Sequence, residues 1–186
     1  MSLRPLLGFV LVLFLATAFP GCARTRANAP KSAITVGKAH TIRSSACERN
    51  PHDGVQHEDR LQVLSRCAAF QGIVVDAPVK YRPDGDVVFD VKPDPGYANM
   101  INAQNRSDSG GLHIEIVPRD QPGCTPGQPI HVNNLPNLGT CSGRDLAAPA
   151  RGAHLRIIGP WVLDRNHNFY EIHPAWSIKP VRRPTR

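Results

Sequence analysis

The chain has 186 residues and a mass of 20.3 kDa, with 22 basic and 15 acidic residues and a formal net charge of +7. Apolar residues make up 41% and charged residues 20%, which suits one domain with a real core and excludes a charge-rich disordered chain. Glycine (15) and proline (18) are abundant, aromatics are only 6% and the mean hydropathy is −0.28, so a multi-span membrane protein, a coiled coil and a collagen are excluded.

Residues 1–21 read as a signal peptide. Arg4 precedes an apolar run over 6–19 that ends at Pro20-Gly21-Cys22. The run is shorter than the ~20 residues a bilayer span needs, which favours a cleaved export signal. The Gly21-Cys22 pair resembles a bacterial lipobox. That resemblance implies lipidation of Cys22 and a lipoprotein tethered to the membrane at the bacterial cell envelope, facing periplasm or exterior. Ordinary cleavage nearby and a retained anchor are the alternatives. Residues 22–45, with Arg24, Arg26, Asn28, Pro30 and Lys31 among few large apolar groups, are expected to form a flexible tether.

Export bears on the cysteines. Setting Cys22 aside leaves Cys47, Cys67, Cys124 and Cys141, an even number that suggests two disulfides in an oxidising compartment. Four cysteines allow three connectivities. The local pairings Cys47–Cys67 and Cys124–Cys141 are favoured, because each closes a short loop rich in turn residues. No two cysteines stand at the close spacing of a zinc knuckle. After loss of 1–21 the count is 21 basic against 15 acidic residues, and the basic excess gathers at the two ends, 24–38 and 179–186. The basic C-terminal tail, 179–186, reads as solvated.

The segment 46–178 is expected to be the folded domain and reads as all-β. A long extended run over 60–76 contains Gly72, where a bulge or bend is expected. Turn residues at 81–85 lead to an alternating strand, with Val87, Phe89 and Val91 on one face and Asp86, Val88 and Asp90 on the other. Another turn at 92–96 and a flexible loop around 107–111 precede a strand over 112–117. A long loop follows from 118 to about 152, restrained by the Cys124–Cys141 staple. An extended segment at 154–163, a polar turn at 164–168 and a last strand over 169–178, broken by Pro174, complete the pattern. Five strands with a long insertion between the third and fourth resemble the OB-fold, a five-stranded Greek-key barrel. That family often carries a helix in this connection, and none is expected here. A small β-sandwich is the alternative.

The stretch Asp84-Gly85-Asp86 and the later Trp161-Val162-Leu163-Asp164-Arg165-Asn166-His167-Asn168-Phe169-Tyr170-Glu171-Ile172-His173-Pro174 resemble secreted bacterial proteins of uncharacterised function. These carry a C-terminal D-x-x-H…E-I-H-P hairpin, and the resemblance implies no activity.

The densest polar cluster is Asp164, His167, Glu171 and His173. Two imidazoles and two carboxylates have the donor chemistry for a metal such as zinc, and a carboxylate beside it for activating water. The structural expectation is that Asp164 caps its turn and that Glu171 or His173 ties the barrel end together by hydrogen bonds. Asp84, Asp86, Asp90 and Asp94 are expected to be solvated turn residues, too few in oxygen ligands for calcium. His113 and Glu115 are placed on opposite strand faces and so are not expected to share a ligand. No G-x-S-x-G elbow and no phosphate-binding glycine loop occurs. Nucleic acid is a poor expectation, since most aromatics alternate as core residues do. These readings favour a non-enzymatic binding module for an envelope macromolecule or glycan, with no cofactor. The alternative is a small metal-dependent hydrolase using Asp164, His167, Glu171 and His173. Oligomeric state is not readable from the sequence.

Overall fold

A computed structural model describes residues 42–47, 49–81, 83–133, 135 and 138–181. The expected signal peptide, Cys22, nearly all of the tether and the tail beyond 181 lie outside the described residues. Six strands form one sheet: β1 (Leu61–Tyr81), β2 (Val87–Pro93), β3 (Leu112–Ile116), β4 (His154–Asp164), β5 (Phe169–Ile172) and β6 (Ser177–Pro180). Their order is β1-β2-β3-β5-β4-β6, and β1 also pairs with β4, which closes a five-stranded barrel. All pairings are antiparallel except β3 with β5. The OB-like barrel is therefore present, and the sandwich alternative is not.

Closure depends on the length of β1. Its first half runs beside β4, from Leu61 opposite Asp164 to Ile73 opposite His154, and its second half runs beside β2. Gly72 faces Leu155 of β4 and Pro93 of β2 at once, so the strand changes partners there. A side chain at Gly72 would fall on the Lys92 carbonyl oxygen. The kink expected at this residue is thus a close backbone approach that only glycine permits. The strand also extends past 76, to Tyr81, through two register shifts against β2.

Alternation sorts the faces of β2 and β3. Val87, Phe89, Val91, Leu112, Ile114 and Ile116 point into the barrel with Phe70, Ile157, Trp161 and Ile172. Trp161 donates its indole N–H to the Met100 carbonyl at 3.2 Å and meets Tyr170 edge-on at 5.1 Å. A smaller cluster of Cys67, Ala69, Ile158 and Trp176 lies outside the barrel, with Ile42, Ala46 and Cys47 against it. Both local disulfides form, Cys47–Cys67 and Cys124–Cys141.

One connection differs from expectation. The segment after β2 is not a simple turn and flexible loop but a 3-10 helix, Pro95–Met100, followed by α1 (Ala103–Asp108). Asn102 and Asn105 cap α1 reciprocally, each side chain accepting from the other's backbone N–H. Asn105 is also buried and bonds Gly111 and both backbone groups of Tyr170, which ties the helix to β5. Six residues are too few to register a helical period, so the sequence pattern missed it. In the connection 118–152 the described residues hold only the 3-10 turn Pro118–Asp120 and the bridge Pro129–Thr140. Arg144 and Ser142 both donate to the buried Asp120 carboxylate and fasten this loop to the barrel.

β5 and β6 lie along the same edge of β4 and are one strand interrupted at 173–176. The interruption faces Gly159 and Pro160, and a Cβ at Gly159 would strike Ile172 and the Pro174 carbonyl. The His173 N–H still donates to Pro160, the Trp176 N–H to Ile158, and the Ala175 N–H crosses to Glu115 of β3. The break expected at Pro174 is therefore a pinch that draws this segment toward β3. Pairing with β4 then resumes at Ser177 and runs to Pro180.

Candidate functional site

The outer face of β2, β3 and β5 carries a row of ionisable groups in direct register. Asp90 stands opposite His113, and His113 opposite Glu171. His113 and Glu115 share this face, because positions two apart in a strand point the same way. That overturns the expectation that they oppose one another: His113 Nε2 lies 3.6 Å from Glu115 Oε1. Asp86 and Asp90, expected in solvent, are buried, at 2% and 3% exposure. They alternate with core residues of β2 and so belong to its outer face, where Asp86 meets His173 and Asp90 meets His113. Of that acidic strip, Asp84 and Asp94 are half-buried, and Asp94 pairs with His154 at 2.9 Å.

The four residues singled out at the C-terminal hairpin divide into two pairs. Asp164 holds the turn: its Oδ1 accepts from the Asn166 and His167 N–H groups, and its Oδ2 lies 2.6 Å from His167 Nδ1. The same carboxylate receives a charged hydrogen bond from Arg60. Burial raises the Asp164 pKa, but the bond to His167 and the charge of Arg60 outweigh it and bring the value down. Glu171 and His173 sit deeper, with His173 Nδ1 3.4 Å from Glu171 Oε2. His173 is fully buried, and its Nδ1 also lies 3.1 Å from Glu115 Oε2 while its Nε2 faces Asp86 Oδ2 at 3.4 Å.

Arg60 joins the two pairs. Its guanidinium binds Asp164 and lies 4.0 Å from both Glu115 and Glu171. Burial lowers the Arg60 pKa, and the three carboxylates more than reverse that. His113 is likewise pulled down by burial and up, more strongly, by its bond to Asp90 and the nearby glutamates. Burial pushes Asp86 up to about 7 against the pull of His173. His173, although buried, is held well above the ordinary histidine value by Glu115, Asp86 and Glu171. Five carboxylates are thus packed against one arginine and three histidines, an arrangement stable only as a mutually paired network.

A cavity of about 110 Å³ opens beside this network, lined by Arg60, Asp84, His113, Glu115, Asp164, His167, Phe169 and Glu171. The Phe169 ring stacks on His113 at 5.7 Å and on His167 at 6.4 Å between centroids. The sequence reading missed Arg60, Asp86, Asp90, His113 and Glu115 as members. The signal was present in the strand alternation, which puts Asp86, Asp90, His113 and Glu115 opposite the apolar positions. Arg60 had no such signal, since it precedes β1 and meets Asp164 only when the barrel closes. No family model, curated protein or solved structure matches this chain.

Proposed function

We propose that the chain is an exported, lipid-anchored and non-enzymatic binding module of the bacterial envelope, whose cavity takes a saccharide unit of an envelope glycan. The observation that carries this reading is the cavity wall. Carboxylates of Glu115 and Glu171 line it to accept hydrogen bonds from hydroxyls, Arg60 donates, and Phe169 offers an apolar ring for C–H groups. OB barrels use the outer β2–β3 face for oligosaccharides, an analogy of fold that supports the reading without establishing it. Asp164 is committed to Arg60, His167 and its own turn, which favours binding over its service as a metal-bound catalytic carboxylate. The signal sequence, the lipobox-like Cys22 and the paired cysteines support export.

The test is co-sedimentation of the full chain with purified envelope glycan, comparing wild type with Phe169→Ala and His167→Ala. Retention that falls at least tenfold in Phe169→Ala supports the cavity as the contact. Equal retention of all three proteins, or none of any, removes it. Release of soluble fragments by metal-loaded protein would instead favour the hydrolase built on Asp164, His167, Glu171 and His173.

A further inference from the structure

We infer that Asp86, Glu115 and His173 form a binding site for one divalent transition-metal ion, zinc before manganese. This inference does not rest on glycan binding. One ligand atom from each of the three residues lies within 4.8 Å of the other two, and all three residues are buried. They come from the residue just before β2, from β3 and from the pinch between β5 and β6, so the barrel itself brings them together.

The decisive observation is what these side chains lack. Asp86 Oδ2, Glu115 Oε2 and His173 Nε2 are buried, and none makes a hydrogen bond. Buried polar atoms almost always find a partner. Here three unbonded atoms belong to the three residues of one cluster. The Nε2–Oδ2 gap of 3.4 Å is longer than an ordinary hydrogen bond. It matches the edge of a tetrahedron around an ion with bonds of about 2.1 Å, which is roughly 3.4 Å.

The imidazole is oriented for ligation. Its Nδ1 makes its hydrogen bond with Glu171 Oε2, at 3.4 Å. A carboxylate that accepts the hydrogen bond from Nδ1–H fixes the tautomer with the Nε2 lone pair outward, the arrangement found behind metal-bound histidines. A zinc ion in the gap would take the place of the proton that His173 otherwise holds toward the Asp86 carboxylate. One divalent ion with two carboxylates is electrically neutral, which removes most of the cost of burying the charges.

Two neighbouring facts narrow the choice. The adjacent set His113, Glu115 and Glu171 has similar spacing, but its imidazole is already engaged, with Nδ1 2.7 Å from Asp90. One nitrogen and two carboxylates suit zinc or manganese, whereas calcium needs six to eight oxygens. Glu115 also lines the cavity, so an ion has a route to the site.

The experiment is calorimetric titration of the chelator-stripped full chain, disulfides intact, with zinc chloride. Wild type is expected to take up about one equivalent and to unfold at a higher temperature when loaded. Asp86→Asn and His173→Gln are expected to weaken binding at least 100-fold, while His57→Ala, exposed and not a member of the cluster, keeps it. Asp86→Asn preserves size and shape, so it remains informative if His173→Gln fails to fold. Cobalt in place of zinc should give visible absorption in wild type and none in Asp86→Asn. The inference is overturned if wild type takes up no zinc, if Asp86→Asn binds as well as wild type, or if His57→Ala abolishes uptake.

Discussion

His113 Nδ1 lies 2.7 Å from Asp90 Oδ1, and the two residues are direct partners in the β2–β3 register. Both are buried, so the bond holds an imidazole and a carboxylate that have little access to water. A hydrogen bond to a charged group contributes about 1.5–3 kcal/mol. Asp90→Asn should therefore destabilise the protein by roughly that amount in chemical denaturation. It should also lower the His113 pKa, since the Asp90 bond is the strongest influence opposing the downward effect of burial. Proton-detected titration of the imidazole would read the shift; an unchanged value would remove Asp90 as its cause.

Arg60 is the most consequential cation of the cluster. Removing it takes the arginine charge from Asp164 and one counter-charge from Glu115 and Glu171. Breaking a buried pair on one side costs about 3–5 kcal/mol. Arg60→Met is expected to fall in that range by urea unfolding, and Arg60→Lys to cost less. The double variant Arg60→Met with Asp164→Asn should recover part of the loss, because the stranded charge is then gone.

Stability of the chelator-treated protein should fall as pH rises from about 4.5 toward alkaline values. Asp86 is shifted from 3.8 up to about 7, chiefly by burial. The folded state therefore holds a proton that the unfolded chain releases, and stability declines between those two values. His173 adds to the decline: its folded value lies well above 6.5, so its contribution is complete below 6.5 and is lost as pH rises through the higher value. Glu115 acts in the other direction. Burial raises its pKa, but His173 and its other neighbours lower it below 4.5, so its contribution is lost only on strong acidification. Melting temperatures across the pH range should show this slope, and Asp86→Asn should flatten it between about 4 and 7.

Gly72→Ala should destabilise by about 1–3 kcal/mol or more, as overpacking does, because the new methyl falls on the Lys92 carbonyl. A neighbouring substitution on the same strand, Gln71→Ala, is expected to have a much smaller effect. Equal effects at 71 and 72 would mean that the backbone there gives way.

The strands were legible because apolar alternation is local: Val87-Val88-Phe89 and Leu112-His113-Ile114 state their faces within a few residues. The disulfide pairings were legible because each closes a short loop. The cluster was only half legible. Asp164, His167, Glu171 and His173 lie close together in the chain, and proximity drew attention to them. Asp86, Glu115 and Arg60 join them only through β2–β3 pairing and barrel closure, contacts that no short window contains. Reading Asp86 and Asp90 as solvated followed their turn-like company, whereas the strand's alternation placed them on the face where they meet His173 and His113. The helix α1 was hidden for a different reason, since its stability rests on one asparagine cap and on Asn105 reaching Tyr170.

The bond between Arg60 and Asp164 spans 104 positions of the chain, and the Asn105–Tyr170 contact spans 65. A topology built from such distant contacts has a high contact order and should fold in milliseconds to seconds rather than microseconds. The β4–β5 hairpin is synthesised late, so a nascent chain that has emerged through β3 holds Asp86, Asp90, His113 and Glu115 with neither His173 nor Asp164. Those carboxylates stay hydrated until the final hairpin docks. Their desolvation then coincides with the last cooperative step, which makes the ionic face a marker of completed folding.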